Sequence, residues 1–391
     1  MLVNQSTPTS AGTIFHLIKT GAATTRAELA RHTGASASTM ALRIDELLQA
    51  GYIEESGEGA SSGGRRPRNL AVRDAPEVVA GIDLGENHAI IVLLNRRGET
   101  VAQAVHEVSL RADPDTVLGA LIQHVRQLTD ATPGRTLAAL AISLPGPLDA
   151  RTGRLLSPTR MPGWSGVDVR ERLEALSGIP SRASNDANSM ALAEYAVREG
   201  SVRDLLFVKA GSGIGTGSIV DGSLYTGFRG VAGDISHTTL TNAPAIPCSC
   251  GRVGCLDMVA SGSAIVESVR ERGGEVASID DVLGLAKQGH PGASEVLREA
   301  GRRIGEVLST IVNFFNPQVL ALGGLLATSD AFTAGVRQAI YTQCLPMTTD
   351  LLEISVAQAG RAAGAVGIAW DTLEKSLQPE NVDAVLQLAG A

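Results

Sequence analysis

Three of the chain's four cysteines, Cys248, Cys250 and Cys255, fall within eight residues, and His237 stands eleven positions before the first of them. Three thiolates and one imidazole make a closed tetrahedral set for zinc. Gly251 and Gly254 let the backbone turn back so that closely spaced sulfurs can converge on one ion. Disulfides or inert core thiols would be the alternative. A single residue between Cys248 and Cys250 is awkward for a disulfide, and the clustered thiols are odd in number. Four protein ligands leave no open position, so the expected zinc is structural rather than catalytic.

A second group of residues suits a polyhydroxylated ligand. Asn185-Asp-Ala-Asn188 closes a strand pattern and opens a helix pattern, and adjacent Asn and Asp side chains can grip vicinal hydroxyls. Asp186 is also a candidate general base towards a hydroxyl. Its alternative role is that of an acid interacting with the positive end of the helix dipole. Ser143-Leu-Pro-Gly-Pro147 and the Asp149 to Gly153 turn precede Ser157-Pro158 and Pro162-Gly-Trp164. Three glycine turns follow strand patterns: Asp83-Leu-Gly85, the run Gly211 to Gly217 containing Gly213, and Gly323-Gly324. Each is weak alone, but their order is informative.

These residues need strands and helices to hold them. Residues 78–85, 89–94 and 100–105 read as three strands joined by tight turns, followed by a helix over 113–130. Further strands are expected at 204–208, 218–220 and 319–323, and a helix at 189–198. The first 75 residues follow a different pattern. A helix is expected over 11–20, with Ile14, Leu17 and Ile18 on one face. Thr25 and Glu28 form a capping box opening a second helix that ends at Gly34. Ser36 caps a third, whose apolar positions Met40, Ile44, Leu47 and Leu48 keep helical spacing. Strands at 52–55 and 69–72 flank a Gly/Ser-rich turn and the basic tip Arg65-Arg66-Pro67-Arg68. Two short helices, a glycine turn and a basic hairpin make a winged helix-turn-helix. Ser36, Ser38, Thr39 and Arg43 would face the major groove, and Arg65, Arg66 and Arg68 would meet phosphates or enter the minor groove. The alternative is a helical appendage with a basic linker.

Composition limits the remaining classes. A length of 391 residues allows two or three domains. The net charge of −8 is unevenly spread: residues 1–72 carry +1 and the remainder −9. The acidic bulk therefore belongs to the C-terminal part, not to the DNA-facing segment. No apolar run approaches a membrane span, and the first residues lack the pattern of a secretion signal. Free thiols arranged for metal suit a cytoplasmic location.

Across nearly its whole length the chain resembles the ROK family of repressors, open reading frames and sugar kinases, and within it the winged-helix xylose and N-acetylglucosamine repressors. Gly63-Gly-Arg-Arg-Pro67, Asp83-Leu-Gly85, Pro145-Gly-Pro147, Asn185-Asp-Ala-Asn188, Gly233-Asp-Ile-Ser-His237, the Cys248 to Asp257 run, and Asn316-Pro317 before Gly323-Gly324 carry the likeness. The resemblance implies an α/β fold: an N-terminal winged helix-turn-helix (1–75), then a two-lobed actin/hexokinase-like, ribonuclease H-like module. Its small lobe is expected over 76–187 plus 366–391 and its large lobe over 188–365. Sugar contacts are implied at Gly146, Asn185, Asp186, Asp234, His237 and Asp257, with His237 also on zinc. Assembly as a homodimer or homotetramer is implied, with a pseudo-palindromic DNA operator.

Two departures from the family pattern matter. Kinases of the family carry Asp-x-Gly-Gly-Thr at the first phosphate turn, whereas this chain has Asp83-Leu-Gly85-Glu86-Asn87. A carboxylate there opposes a polyphosphate by roughly a few kcal/mol. Asp83, Gly85, Gly213, Gly323 and Gly324 therefore read as a vestigial nucleotide site. The family's two glutamates near the sugar are the shorter Asp234 and Asp257, which implies a different ligand, a bridging water or lost hexose binding. The expected function is a sugar-responsive transcriptional regulator, by family habit a repressor, and not an enzyme. The alternatives are a sugar kinase with an N-terminal extension and a regulator that no longer senses sugar.

Overall fold

The computed structural model describes residues 7–58, 68–149, 151–156 and 161–389. Arg65, Arg66, Ser157 and Pro158 lie outside them. Among the described residues no helix is long and apolar enough to cross a membrane.

The N-terminal unit comprises α1 (Ala11–Lys19), α2 (Arg26–Thr33), α3 (Ala37–Gln49) and an antiparallel pair, β1 (Ile53–Glu58) and β2 (Arg68–Val72). Its helix starts are those the side chains demand. Glu28 donates its N–H to Thr25 Oγ1 at 3.3 Å while Glu28 Oε2 accepts from Thr25 N–H at 3.0 Å. Backbone N–H donation from Thr24, then the Thr25 hydroxyl, holds the Glu28 carboxyl below its usual range. Gly34, at φ +69°, takes the left-handed conformation that ends α2. Ser36 Oγ accepts from Thr39 N–H at 3.1 Å and opens α3. Met40, Ile44 and Leu47 are buried as their spacing requires.

Two five-stranded sheets follow, with the same strand order. The first combines β3 (Glu77–Leu84), β4 (His88–Leu94), β5 (Thr100–Glu107), β6 (Thr136–Leu144) and β7 (Ser181–Asn185) as β5-β4-β3-β6-β7. Its helices are α4 (Pro114–Asp130) and α5 (Val169–Ser177). Next comes α6 (Asp186–Val197). The second sheet combines β8 (Leu205–Ala210), β9 (Ile214–Val220), β10 (Ser223–Tyr225), β11 (Val319–Gly323) and β12 (Glu353–Val356) as β10-β9-β8-β11-β12. In each, three antiparallel strands are extended by two parallel ones. Between β10 and β12 lie α7 (Asp257–Ala260), α8 (Gly262–Glu271), α9 (Ile279–Lys287), α10 (Pro291–Phe315), α11 (Asp330–Gln343) and α12 (Pro346–Thr349). The chain closes with α13 (Ala363–Ser376) and α14 (Pro379–Ala389).

The helices α6 and α13 join the lobes, and glycine makes their approach feasible. A methyl group on Gly367 of α13 would fall 1.7 Å from the Ser189 carbonyl oxygen of α6. One on Gly81 of β3 would fall 2.1 Å from the Ala365 carbonyl. Helix α6 begins at Asp186, three residues before its expected start, because the Asn185 side chain caps it.

The C-terminal helix returns to the N-terminal unit. Gly12 N–H donates to Asp383 Oδ1 at 2.7 Å, and Lys19 pairs with Glu374. Ile14, Phe15 and Leu47 share one apolar cluster with Val79 and Ile90 of the first sheet and with Ala369 and Val382. The N-terminal unit is thus packed into the first lobe. Each fully buried Ile or Leu there contributes about 1.5–3 kcal/mol. Of the expected 366–391 segment, α13 packs on α6 and β3, and α14 lies on α1.

Candidate ligand cleft and metal centre

The loop between β10 and α7 brings His237, Cys248, Cys250 and Cys255 together, with all their ligand atoms within 4.8 Å of one another. Cys250 and Cys255 sulfurs are 3.6 Å apart, and His237 Nδ1 is 3.5 Å from Cys248 Sγ. Donors about 2.0–2.3 Å from a tetrahedral zinc would stand at roughly these separations. The donor set therefore fits a metal. The loop is shaped for it: Cys248 N–H donates to Arg252 O at 2.8 Å and Gly251 N–H to Cys248 O at 2.9 Å. Gly251 and Gly254 have φ of +85° and +69°. Burial, then the neighbouring thiols, pushes the Cys255 thiol up to about 12. A dication supplies the charge that such a cluster needs to ionise.

His237 also lines a cleft of about 560 Å³ between the lobes. All six residues implied as sugar contacts, Gly146, Asn185, Asp186, Asp234, His237 and Asp257, line it. Their positions follow from strand ends and helix starts. Gly146 follows β6 with φ +102°. Asn185 ends β7; its Nδ2 donates to Gly146 O at 3.1 Å, and its Oδ1 accepts from Ala187 and Asn188 N–H at 3.0 and 3.3 Å. Asp186 opens α6 and forms a salt bridge with Lys209 at the end of β8. Asp234 Oδ1 accepts from Ser236 Oγ at 2.6 Å, and Asp257 N–H donates to Ser236 O at 2.9 Å. Gly233 cannot be larger, since a methyl group there would lie 2.1 Å from Thr216 O.

The expected nucleotide residues divide. Gly85 and Gly213 line the cleft, and so does Glu86. Asp83, Gly323 and Gly324 are not among the lining residues. Gly323 makes room for the Phe207 ring, 2.2 Å from where its methyl group would be, and Gly324 for the Ala210 carbonyl at 2.3 Å. Asp83 keeps some accessible surface, yet burial pushes its carboxyl up to about 6, opposed by the Lys209 ammonium and assisted by Asp186.

Three features of the cleft escaped the sequence pattern. Lys209 heads the glycine-rich run that ends at Gly217, but the pattern of that run gives the lysine no partner, and the structure sets it on Asp186. Asn188 was quoted as part of a motif, yet it too lines the cleft. Arg229, on the second lobe, reaches Asp149 on the first, Nη2 to Oδ2 at 2.8 Å.

On the N-terminal unit, Ser36 and Ser38 are exposed at the start of α3, and Thr39 is half-buried beside them. Their hydroxyls bond to one another through Ser36 Oγ at 2.9 Å. Arg43 pairs with Glu46, and Arg68 with Glu55. Leu42 is 56% exposed on α3, one helical turn beyond Ser38.

The model of the ROK family matches residues 79–374. The chain belongs to the ROK family. Among this ROK protein's relatives is the xylose repressor of Caldicellulosiruptor bescii, 29% identical over 314 residues that span 76% of this chain and 78% of the repressor. A solved ROK family transcriptional regulator, a homolog of the E. coli MLC protein, is similar over 96% of this chain and 97% of its own, with a TM-score of 0.80 and 24% identity. The ROK hexokinase of Thermus thermophilus is similar over 76% of this chain and 99% of its own, with a TM-score of 0.64 and 26% identity. The α/β, actin/hexokinase-like fold expected from the sequence is the one found.

Proposed function

We propose that this ROK protein is a sugar-responsive DNA-binding transcriptional regulator of the repressor kind. The observation that carries it is the shared core. A three-helix unit with an antiparallel hairpin is packed into the lobe that forms one wall of the cleft. This unit reads as a winged helix-turn-helix, with α3 as the groove-entering helix and Ser36, Ser38, Thr39 and Arg43 towards the bases. Arg43 and Arg68 would exchange their carboxylate partners for phosphates. The similarity to a xylose repressor, which extends over 76% of this chain, supports the same reading.

A sugar held by Asn185, Asp186, Asp234, His237 and Asp257 would favour one spacing of the lobes and so one spacing of the DNA-reading units in a homo-oligomer. Zinc is the metal that suits the His-Cys₃ set, and it would fix His237 through Nδ1 and turn the other ring nitrogen to the ligand.

A kinase reading draws on Asp186 in the cleft and on the hexokinase likeness. It is opposed by Glu86 beside the phosphate turn and by Lys209 on the Asp186 carboxylate. The test is selection from a random duplex DNA library with the purified full chain. Enrichment of a two-fold-related motif, lost on adding the effector sugar, is expected. No enrichment, together with sugar-dependent ATP turnover, would reverse the assignment.

A further inference from the structure

The charges and orphaned groups of the cleft constrain which sugars it can take, a deduction that rests on the sensor reading above. Four carboxylates line the cleft: Glu86, Asp186, Asp234 and Asp257. Lys209 is the cationic side chain among the described lining residues, and it is already engaged with Asp186. No arginine lies among those lining residues. Glu86 has a partner in Arg111 at 3.7 Å, but the Arg111 side chain is 76% exposed. An anionic ligand would therefore meet like charges on several sides.

The feature that would ordinarily seat a phosphate is also taken. The N-terminus of α6 opens onto the cleft, and free N–H groups at a helix start bind anions. Here Asn185 Oδ1 accepts from the N–H groups of Ala187 and Asn188, and Asp186 Oδ1 accepts from Ala187 at 2.7 Å. Two of the N–H groups at the helix start are thus taken by the protein's own oxygens.

One acceptor at the cleft wall is unmet. Asn188 lines it, is 4% exposed, and its Oδ1 is buried with no hydrogen-bond partner among the described residues. A buried acceptor left unmet is costly, so a ligand that supplies a donor there recovers that cost.

We infer that the effector is a sugar without a phosphate or carboxylate, bearing hydroxyl or amino groups, and that Asn188 Oδ1 accepts one of its hydrogen bonds. The four carboxylates and the Asn188 carbonyl oxygen match a ligand that offers donors. Phosphorylated and oxidised forms of the same sugar are rejected by charge.

The experiment is calorimetric titration of the full, zinc-loaded chain with matched sets: a pentose and several hexoses, each with its amino, 6- or 5-phosphate and uronic or aldonic acid forms. The uncharged or amino member of one set should bind at least tenfold more tightly than its anionic forms. Asn188→Ala should weaken that binding about tenfold. Asn188→Asp, which keeps the acceptor, should retain most of it. The thermal midpoint of each unliganded variant reports whether it has folded. An anionic form binding more tightly than its parent would overturn the inference while leaving the sensor reading intact. So would unchanged affinity in a folded Asn188→Ala protein. Silence of every set would overturn the sensor reading itself, and the inference with it.

Discussion

Arg229 Nη2 lies 2.8 Å from Asp149 Oδ2, and the two residues stand on opposite lobes. Gly230 and Val231, next to Arg229, line the cleft, as do Pro147 and Gly146, just before Asp149. The bridge therefore spans the mouth. Donation by Arg229, then by the Arg151 N–H, holds the Asp149 carboxyl down at about 2. Arg229→Ala should open the lobes, seen as a larger radius of gyration in solution scattering. Ligand affinity should fall by no more than about fivefold, because pairs reaching solvent are weak. Asp149→Asn should give the same change, and the double variant no more. In the parent, any share of stability the bridge provides is present above pH 3.8 and lost as pH falls through about 2.

Cys250→Ser should abolish stoichiometric zinc by elemental analysis and expose the loop from His237 to Asp257 to protease. The effect should reach the cleft, since His237 belongs to both. Ligand affinity should fall with the metal, while DNA affinity in the absence of ligand should change little. Full metal content in the variant would remove the assignment.

Asp83 has its proton affinity raised by burial, so the folded state binds a proton that the unfolded state releases. Stability should therefore decline as pH rises from 3.8 towards about 6 and then level off. Asp83→Asn should flatten that portion of a midpoint-against-pH curve and raise the midpoint at pH 7. An identical curve in the variant would show that Asp83 does not titrate there.

Glu194 is fully buried on α6 and serves three partners. It pairs with Arg198 at 3.0 Å and accepts from the N–H groups of Gln358 and Ala359 at 2.7 and 3.1 Å. The pair ties the helix that begins at Asp186 to the segment before α13. Glu194→Ala leaves two unmet N–H groups and leaves Arg198 with Glu353 as its remaining carboxylate partner at 3.0 Å, and should cost about 1–3 kcal/mol in chemical denaturation. A loss below about 1 kcal/mol would mean that water replaces the carboxylate.

Leu42 and Ser38 stand one turn apart on the exposed face of α3. Under the winged-helix reading, Leu42→Ser should relax preference for thymine at one position of each half-site, since an apolar side chain meets its methyl group. Arg68→Ala should instead weaken binding to all sequences alike and reduce its salt dependence. Unchanged base preference in the first variant would place α3 away from the groove.

Local chemistry made much of this molecule readable from the chain. Thr25 with Glu28, Ser36 before Met40 and Ile44, and Gly34 after α2 specify helix ends by bonds that reach only three or four residues. The His237 and cysteine set was readable because metal geometry demands particular side chains at short spacing. The six implied ligand residues came from a family likeness, and the structure brings all six to one cleft. Only the tertiary structure decided what lay across large separations. No local rule links Lys209 to Asp186, or Arg229 to Asp149, because strand pairing and lobe closure bring them together. At Gly323 and Gly324 a methyl group would strike the Phe207 ring and the Ala210 carbonyl, a packing constraint that the turn pattern does not carry. The return of α14 to α1, through Asp383 and Gly12, is a contact over 371 residues that only the packed core could place.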